Sequence, residues 1–139
     1  MTALSFFDTN ILVYADDESS LQKQKRAIRL FSEHHRAGLA VVSLQVLQEY
    51  FAAATRKLHV DAEVAQRKVE LLARGRVVRF DPEDVIASIE LHRLTRLSFW
   101  DAMILHAARL AGAEILYSED LQHNSTVGGV KVVNPFAPQ

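Results

Sequence analysis

Short apolar runs alternate with segments of helical period along the chain, and this alternation is what most constrains its fold. Between the runs, apolar residues recur at three- or four-residue spacing, as they do on one face of a helix. Strands that are apolar along their whole length are buried on both faces, which is typical of parallel sheets covered by helices. We therefore expect an α/β domain with a mainly parallel sheet of about five strands. The runs that predict these strands are residues 4–7, 39–42, 77–80, 114–117 and 130–133.

Capping residues mark the starts of the predicted helices, because Ser and Asp side chains accept hydrogen bonds from the free N–H groups of a first turn. The clearest start is Asp81-Pro82-Glu83-Asp84, where a cap is followed by proline and by acids that favour the positive end of the helix dipole. Helices therefore separate the first four strands, as parallel connections require. They are predicted over residues 20–37, 43–58, 61–75, 81–94 and 98–112.

The bulk composition indicates one ordinary domain, and we assign residues 1–139 to it. The absence of cysteine excludes disulfides, thiolate metal sites and thiol nucleophiles. The formal net charge of −1 does not indicate a large nucleic-acid-binding field, although residues 23–29 and 74–79 are locally basic. The apolar runs are too short to cross a membrane and no signal peptide is visible. We therefore expect a cytoplasmic protein.

Four acidic residues lie where apolar structure would be expected to exclude charge. Asp8 and Asp120 follow predicted strands, and Glu49 and Asp101 lie on apolar helices. Carboxylates are rarely kept beside a core unless something pairs with them, and a divalent cation is the obvious partner. Asp8 and Asp120 also lie past the carboxyl ends of their strands, where α/β proteins bind ligands. The four acids are therefore candidate ligands of one metal site.

Each of these acids also has a purely structural explanation. Asp8 can cap the helix that follows it, and Ser98-Phe99-Trp100-Asp101 resembles a capping box. Glu49 has no cation one helical turn away, so no salt bridge within the helix explains it, but it can still be an ordinary solvated side chain. Asp120 can belong to a turn. Any single acid is weak evidence, and the prediction of a metal site depends on their convergence.

The chemistry of the four candidates favours a hard cation. Oxygen donors without Cys or a close His pair select Mg²⁺ or Mn²⁺ over zinc. A water on such an ion can attack a phosphodiester while the metal stabilises charge on the leaving oxygen. No side-chain nucleophile is then needed, which fits a chain with neither Cys nor a Gly-x-Ser-x-Gly motif.

Four motifs and the chain's ending form one further pattern. The motifs are residues 7–15 (FDTNILVYA), Gln48-Glu49, Trp100-Asp101-Ala102 and residues 118–123 (SEDLQH), and the ending is Val133-Asn134-Pro135-Phe136. In this order they resemble the motifs of the PIN-domain ribonucleases. The similarity spans almost the whole chain, and it is strongest to the VapC-type toxins of prokaryotic toxin–antitoxin pairs.

The resemblance implies a three-layer α/β/α fold and Mg²⁺- or Mn²⁺-dependent cleavage of RNA. It implies that the four acids bind the metal and act in catalysis, supported by the hydroxyls of Thr9 and Ser118. It further implies a homodimer and inhibition by a cognate antitoxin protein. Cations such as Arg93, Arg96 or Arg109 would then contribute to the choice of RNA.

One position departs from the family pattern. The Leu-Gln-His stretch is often followed by glycine in similar proteins, whereas Asn124 stands here. Asn tolerates a left-handed backbone, so we expect the turn to be kept. Whether His123 contacts a phosphate stays open.

Two other functions are also considered. A PIN-fold module that binds protein or RNA without cutting it would share the fold, although the intact acids argue against it. A phosphotransfer enzyme or receiver domain could use Asp8 as a phosphate acceptor. Haloacid-dehalogenase phosphatases, however, carry a second Asp two residues later, where this chain has Asn10. The four acids together with the family resemblance therefore predict a metal-dependent endoribonuclease, and the resemblance implies that it acts as a toxin.

Overall fold

Six strands and six helices make up the part of the chain that the computed structural model describes, residues 3–138. The strands form a single sheet with helices on both sides, as the α/β prediction required. In chain order the elements are β1 (Ser5–Phe7), α1 (Thr9–Tyr14), α2 (Leu21–Arg36), β2 (Ala40–Ser43), α3 (Leu44–Arg56), α4 (Ala62–Ala73), β3 (Arg76–Val78), α5 (Pro82–Leu94), α6 (Phe99–Leu110), β4 (Ile115–Tyr117), β5 (Thr126–Val127) and β6 (Val130–Val133).

The strand order is β3-β2-β1-β4-β6-β5, and every neighbouring pair is parallel except β5 with β6. The chain builds the sheet outward from β1 through β2 to β3, and then returns to place β4 on the other side of β1. The order therefore reverses between β1 and β4. In open α/β sheets, ligands bind beyond the carboxyl ends of the strands at such a reversal.

The five predicted strands are present, and β5 is the strand that the sequence analysis missed. It has only two residues, so no apolar periodicity marks it. Its partner β6 follows across Gly128 and Gly129, whose φ angles are 59° and 83°. Two consecutive residues with positive φ form the tight turn that suits a two-residue hairpin loop, and glycine adopts it without steric cost.

The predicted helices begin at their predicted caps, although not all caps form the expected hydrogen bond. The Ser43 side chain accepts a hydrogen bond from the N–H of Val46 at the start of α3. At the start of α5 the backbone N–H of Asp81 donates to the Asp84 carboxylate at 3.0 Å. Asp61 precedes α4 as predicted, but its side chain makes no cap hydrogen bond. The sequence therefore predicted where the helices start, but it did not predict which capping side chains form hydrogen bonds.

The core occupies both faces of the sheet. Phe6 and Phe7 are adjacent in β1 and so point to opposite faces, yet both are completely buried. Leu116 of β4 is also fully buried, as are Ile104 and Leu105 of α6 to within 2%. Burying each such side chain stabilises the fold by roughly 1.5–3 kcal/mol. Between residues 3 and 138, no helix is long and apolar enough to span a membrane.

Candidate functional site

Asp8 and Ser118 lie side by side because their strands are in register. Phe7 of β1 pairs with Tyr117 of β4, so the next residue of each chain segment emerges at the carboxyl edge of the sheet. There the Ser118 hydroxyl donates a hydrogen bond to Asp8 Oδ2 at 2.7 Å. Asp8 Oδ1 accepts from the N–H of Thr9 at 2.7 Å. Asp8 is therefore the N-cap of α1, as predicted, while its other oxygen accepts the hydrogen bond from Ser118.

Asp8 is buried without a compensating cation. Its side chain is only 4% exposed, and none of the ion pairs within residues 3–138 involves it. Burial raises its pKa to about 7, against the hydrogen bonds from Ser118 and Thr9, and negative charge on Asp120 and Glu49 raises it further. A bound cation would relieve this unfavourable environment, so the burial of Asp8 fits a metal ligand.

Glu49 is held from two sides on α3. The Thr9 hydroxyl donates to Glu49 Oε1 at 2.7 Å, and Gln45 Nε2 donates to Oε2 at 3.3 Å. Gln45 Nε2 also lies 3.4 Å from the backbone oxygen of Trp100 at the start of α6. The resemblance implied that the Thr9 hydroxyl supports the acids, and the acid that it contacts is Glu49, because α1 packs against α3.

Asp101 lies in the first turn of α6, where half of the predicted capping box is formed. The Ser98 hydroxyl oxygen accepts a hydrogen bond from the N–H of Asp101 at 3.1 Å. Burial raises the pKa of the Asp101 carboxyl, against the Ser98 side chain, and negative charge on Asp120 and Glu49 raises it further. The mutual effect of these charges indicates that the acids lie near one another.

Asp120 is exposed in the loop after β4, and Asn10 connects it to Asp8. Asn10 Nδ2 lies 3.1 Å from Asp120 Oδ2 and 3.4 Å from Asp8 Oδ2, while the N–H of Asp120 donates to Ser118 Oγ at 3.1 Å. The sequence analysis missed this role of Asn10. Its position two residues after Asp8, at the start of a helix, was the signal that could have indicated it.

Glu119 has a different environment from its neighbour Asp120. It accepts hydrogen bonds from Tyr14 Oη and Lys23 Nζ, each at 2.7 Å. Lys23 also lies over the rings of Tyr14 and Phe136, at 4.7 and 5.5 Å from their centroids. Glu119 therefore holds α1, α2 and the C-terminal segment together.

The four predicted acids line one cavity of about 700 Å³. They come from four separate elements: the residues after β1 and β4, and the helices α3 and α6. Within residues 3–138, however, no group of three or more Asp, Glu, His or Cys side chains already forms a metal-binding cluster. The acids converge on a common space without a closed ligand shell. Oxygen donors around such a space suit a hard cation that retains several waters.

The other candidates from the sequence lie outside this cavity. His123 accepts a hydrogen bond from the N–H of Asn134 at 2.9 Å, so it secures the C-terminal segment. Asn124 has a φ of 65°, as the expected left-handed turn requires. Arg109 packs against Gly128 and lies 3.0 Å from a ring nitrogen of His106. The cations that do line the cavity are Arg56 and Lys57, which the sequence analysis did not single out.

Comparison with known proteins identifies the fold family. Similar solved structures include the VapC20 toxin of Mycobacterium tuberculosis, described as cleaving the sarcin-ricin loop (23% identity, TM-score 0.67, covering 84% of this chain and 89% of that chain). A toxin–antitoxin complex from Klebsiella pneumoniae is 23% identical (TM-score 0.68, 95% and 98% covered). DNA-bound VapBC from Salmonella typhimurium is 18% identical (TM-score 0.66, 94% and 97% covered). At these identities the likeness shows a shared fold.

The sequence itself places the chain in a family. No curated protein sequence matches it significantly. The family model described as the PIN domain, however, matches residues 5–128. That range includes all four acids and five of the six strands, β1 to β5, so the match covers the cavity and most of the sheet that carries it. The chain belongs to the PIN domain family.

Proposed function

We propose that this protein is a metal-dependent endoribonuclease and the toxin of a VapBC-type toxin–antitoxin pair. The observation that carries the proposal is the convergence of Asp8, Glu49, Asp101 and Asp120 on one cavity. They stand in a PIN domain, at the reversal of strand order where ligands bind in such folds. These four carboxylates would hold Mg²⁺ or Mn²⁺. When bound, the ion supplies an activated water and stabilises charge on the phosphodiester.

The protein's own contribution is to orient the carboxylates without neutralising them. Each donor that contacts them is neutral: the hydroxyls of Ser118 and Thr9 and the side-chain amides of Asn10 and Gln45. A Lys or Arg in these positions would compensate the negative charge and compete with a cation. Neutral donors instead fix the oxygens and leave their charge available, which supports metal binding.

The neighbouring structures support the choice of substrate and partner. One of them is described as a toxin that cleaves the sarcin-ricin loop, and others are described as toxin–antitoxin or DNA-bound VapBC complexes. By analogy, this chain cleaves RNA in the cytoplasm and is inhibited by a cognate antitoxin protein. Its RNA target is identified by sequencing RNA 5′ ends after induced expression.

A homodimer is part of the same proposal. Three large apolar side chains of α5 face solvent in the single chain: Val85, Ile86 and Ile89 are 37%, 55% and 42% exposed. Contiguous exposed apolar surface favours association. Two copies that meet through α5 would cover it. Light scattering on a size-exclusion column should show a dimer for the wild type and a monomer for Ile86→Glu. A wild-type monomer at high concentration would contradict this part.

The nuclease is tested by RNA cleavage in Mg²⁺ or Mn²⁺ and in chelator. Asp8→Asn and Asp101→Asn should each abolish metal-stimulated cleavage while the far-ultraviolet circular dichroism stays unchanged. Asp61→Asn is the matched control, because this exposed acid makes no cap hydrogen bond and does not line the cavity. Undiminished cleavage by both site variants would rule out the mechanism.

The alternative is a PIN-fold module that binds protein or RNA without cutting it. Calorimetry with Mg²⁺ or Mn²⁺ and a growth-arrest test on expression separate the two functions. A nuclease toxin should bind metal and arrest growth, and Asp101→Asn should relieve the arrest. Metal binding without cleavage of any RNA, and without arrest, would favour the non-cleaving module.

A further inference from the structure

We infer that two parts of the cavity lining hold the RNA: an unpaired base stacks on Trp100, and neighbouring phosphates contact Arg56 and Lys57. This inference rests on the proposed function and assigns residues that hold the strand beside the acids. All three residues line the same cavity as the four acids. None of them takes part in metal binding as proposed above.

Trp100 is a large aromatic side chain in water beside a carboxylate. It is 61% exposed, and it directly precedes Asp101 in the first turn of α6. Its ring is steadied by an edge contact with Phe99, with centroids 5.2 Å apart, and its backbone oxygen lies 3.4 Å from Gln45 Nε2. Within the described residues its indole N–H has no hydrogen-bond partner. A fixed, exposed aromatic face at the mouth of the cavity is a surface on which a base can stack.

Arg56 and Lys57 add positive charge to the lining of the same cavity. They are the last residue of α3 and its C-cap, both are exposed, and neither forms an ion pair in residues 3–138. Cations at a helix C-terminus are favoured by the dipole, which alone would explain their presence. Their location on the cavity lining is the additional observation, because the four acids that line the same cavity would repel a nucleic acid.

The spacing along α3 separates the two kinds of charge. Glu49 and Arg56 are seven residues apart and so share one helix face, with the small side chains of Ala52 and Ala53 between them. At about 1.5 Å of rise per residue, the two positions lie roughly 10 Å apart along the axis. Arg56 would therefore hold a phosphate further along the strand than the one at the acids. The alanines leave room for the strand to pass.

Stacking on Trp100 requires an RNA base that is not already paired and stacked. In a duplex the bases are already paired and stacked, so a tryptophan cannot take one without breaking the helix. An unpaired strand presents free base faces at no such cost, and stacking on an aromatic side chain tolerates every base. Trp100 is thus suited to hold an unpaired base beside the acids.

The chain's own tryptophan provides the first test, because Trp100 is the only one in the sequence. In Mg²⁺, stopped-flow mixing with oligouridylate or oligoadenylate should quench its fluorescence before any turnover. An RNA duplex of the same length and inorganic polyphosphate should not quench it, because neither offers a free base. If neither oligouridylate nor oligoadenylate quenches the fluorescence of Trp100, the inference is overturned.

Variants test the two contacts separately, with labelled RNA followed by fluorescence anisotropy. Trp100→Leu should weaken binding of the single strand roughly 5- to 100-fold, and Trp100→Phe should retain most of it, since stacking needs an aromatic face. Arg56→Gln should reduce the slope of log affinity against log salt concentration by about 1, because one phosphate contact is lost. Arg74→Gln is the matched control, being an exposed arginine at the C-cap of α4 outside the cavity.

The outcomes distinguish this inference from the nuclease proposal. Quenching without cleavage would refute the nuclease alone, and cleavage without quenching would refute the stacking alone. Trp100 also lines a second cavity with Leu44, Val85 and Phe80, so a protein could cover it instead. In that case Trp100→Leu would change the oligomeric state and leave RNA affinity unchanged, which would overturn the inference.

Discussion

Replacing Asp8 by Asn should stabilise the metal-free protein at neutral and alkaline pH. Burial raises the pKa of Asp8 to about 7 from an ordinary value of 3.8. This difference corresponds to about 4 kcal/mol of unfavourable free energy for the ionised carboxylate in the folded protein. Asn has nearly the same shape and no charge. Allowing for imperfect hydrogen bonds to the Ser118 hydroxyl, we expect a gain of about 2–4 kcal/mol in the free energy of unfolding.

The pH dependence has a definite sign. Between pH 4 and pH 7 the folded protein keeps a proton on Asp8 that the unfolded chain has released. The contribution of Asp8 to the stability of the wild type should therefore fall as pH rises through this range and stay constant above it. The Asp8→Asn variant should not lose stability in this way, because asparagine does not ionise. The difference between the two proteins should be small near pH 4 and greatest above pH 7.

Urea unfolding in chelator at several pH values measures this difference, with Asp61→Asn as an exposed control. Mg²⁺ should then narrow or reverse the gap, because it stabilises only the protein that binds it. Equal or lower stability of Asp8→Asn at pH 8 would refute the reasoning. So would a difference that does not change with pH.

Three further predictions follow from particular contacts. Ser118→Ala removes the hydroxyl donor to Asp8 and should weaken Mg²⁺ binding about 10- to 100-fold by calorimetry. Lys68→Met removes the partner of Asp16, 3.1 Å away in a partly buried pair, and should lower the free energy of unfolding in urea by about 1–3 kcal/mol. Gly128→Ala should lower the melting temperature, because φ is 59° and the new Cβ would lie 2.3 Å from Arg109 Cδ. An unchanged value in any of these measurements would contradict the role assigned to the corresponding contact.

Local features of the sequence were enough to predict most of the elements. Continuous apolar runs indicated five of the six strands, and Ser43, Asp81 and Ser98 marked helix starts, because periodicity and capping depend only on neighbouring residues. The hairpin strand β5 could not be predicted in this way, because it is too short to show a local pattern. Two residues carry no periodicity, and the strand exists only because β6 lies beside it.

The sequence by itself determined the α/β fold and the four acids as candidates, because apolar pattern and charge in apolar surroundings are both visible in one dimension. Only the tertiary structure decided which partners they have. The Thr9 hydroxyl contacts Glu49, and Asn10 connects Asp8 to Asp120, across 40 and 110 residues. Such contacts depend on strand register and on how α1 packs against α3, and neither is encoded in local pattern.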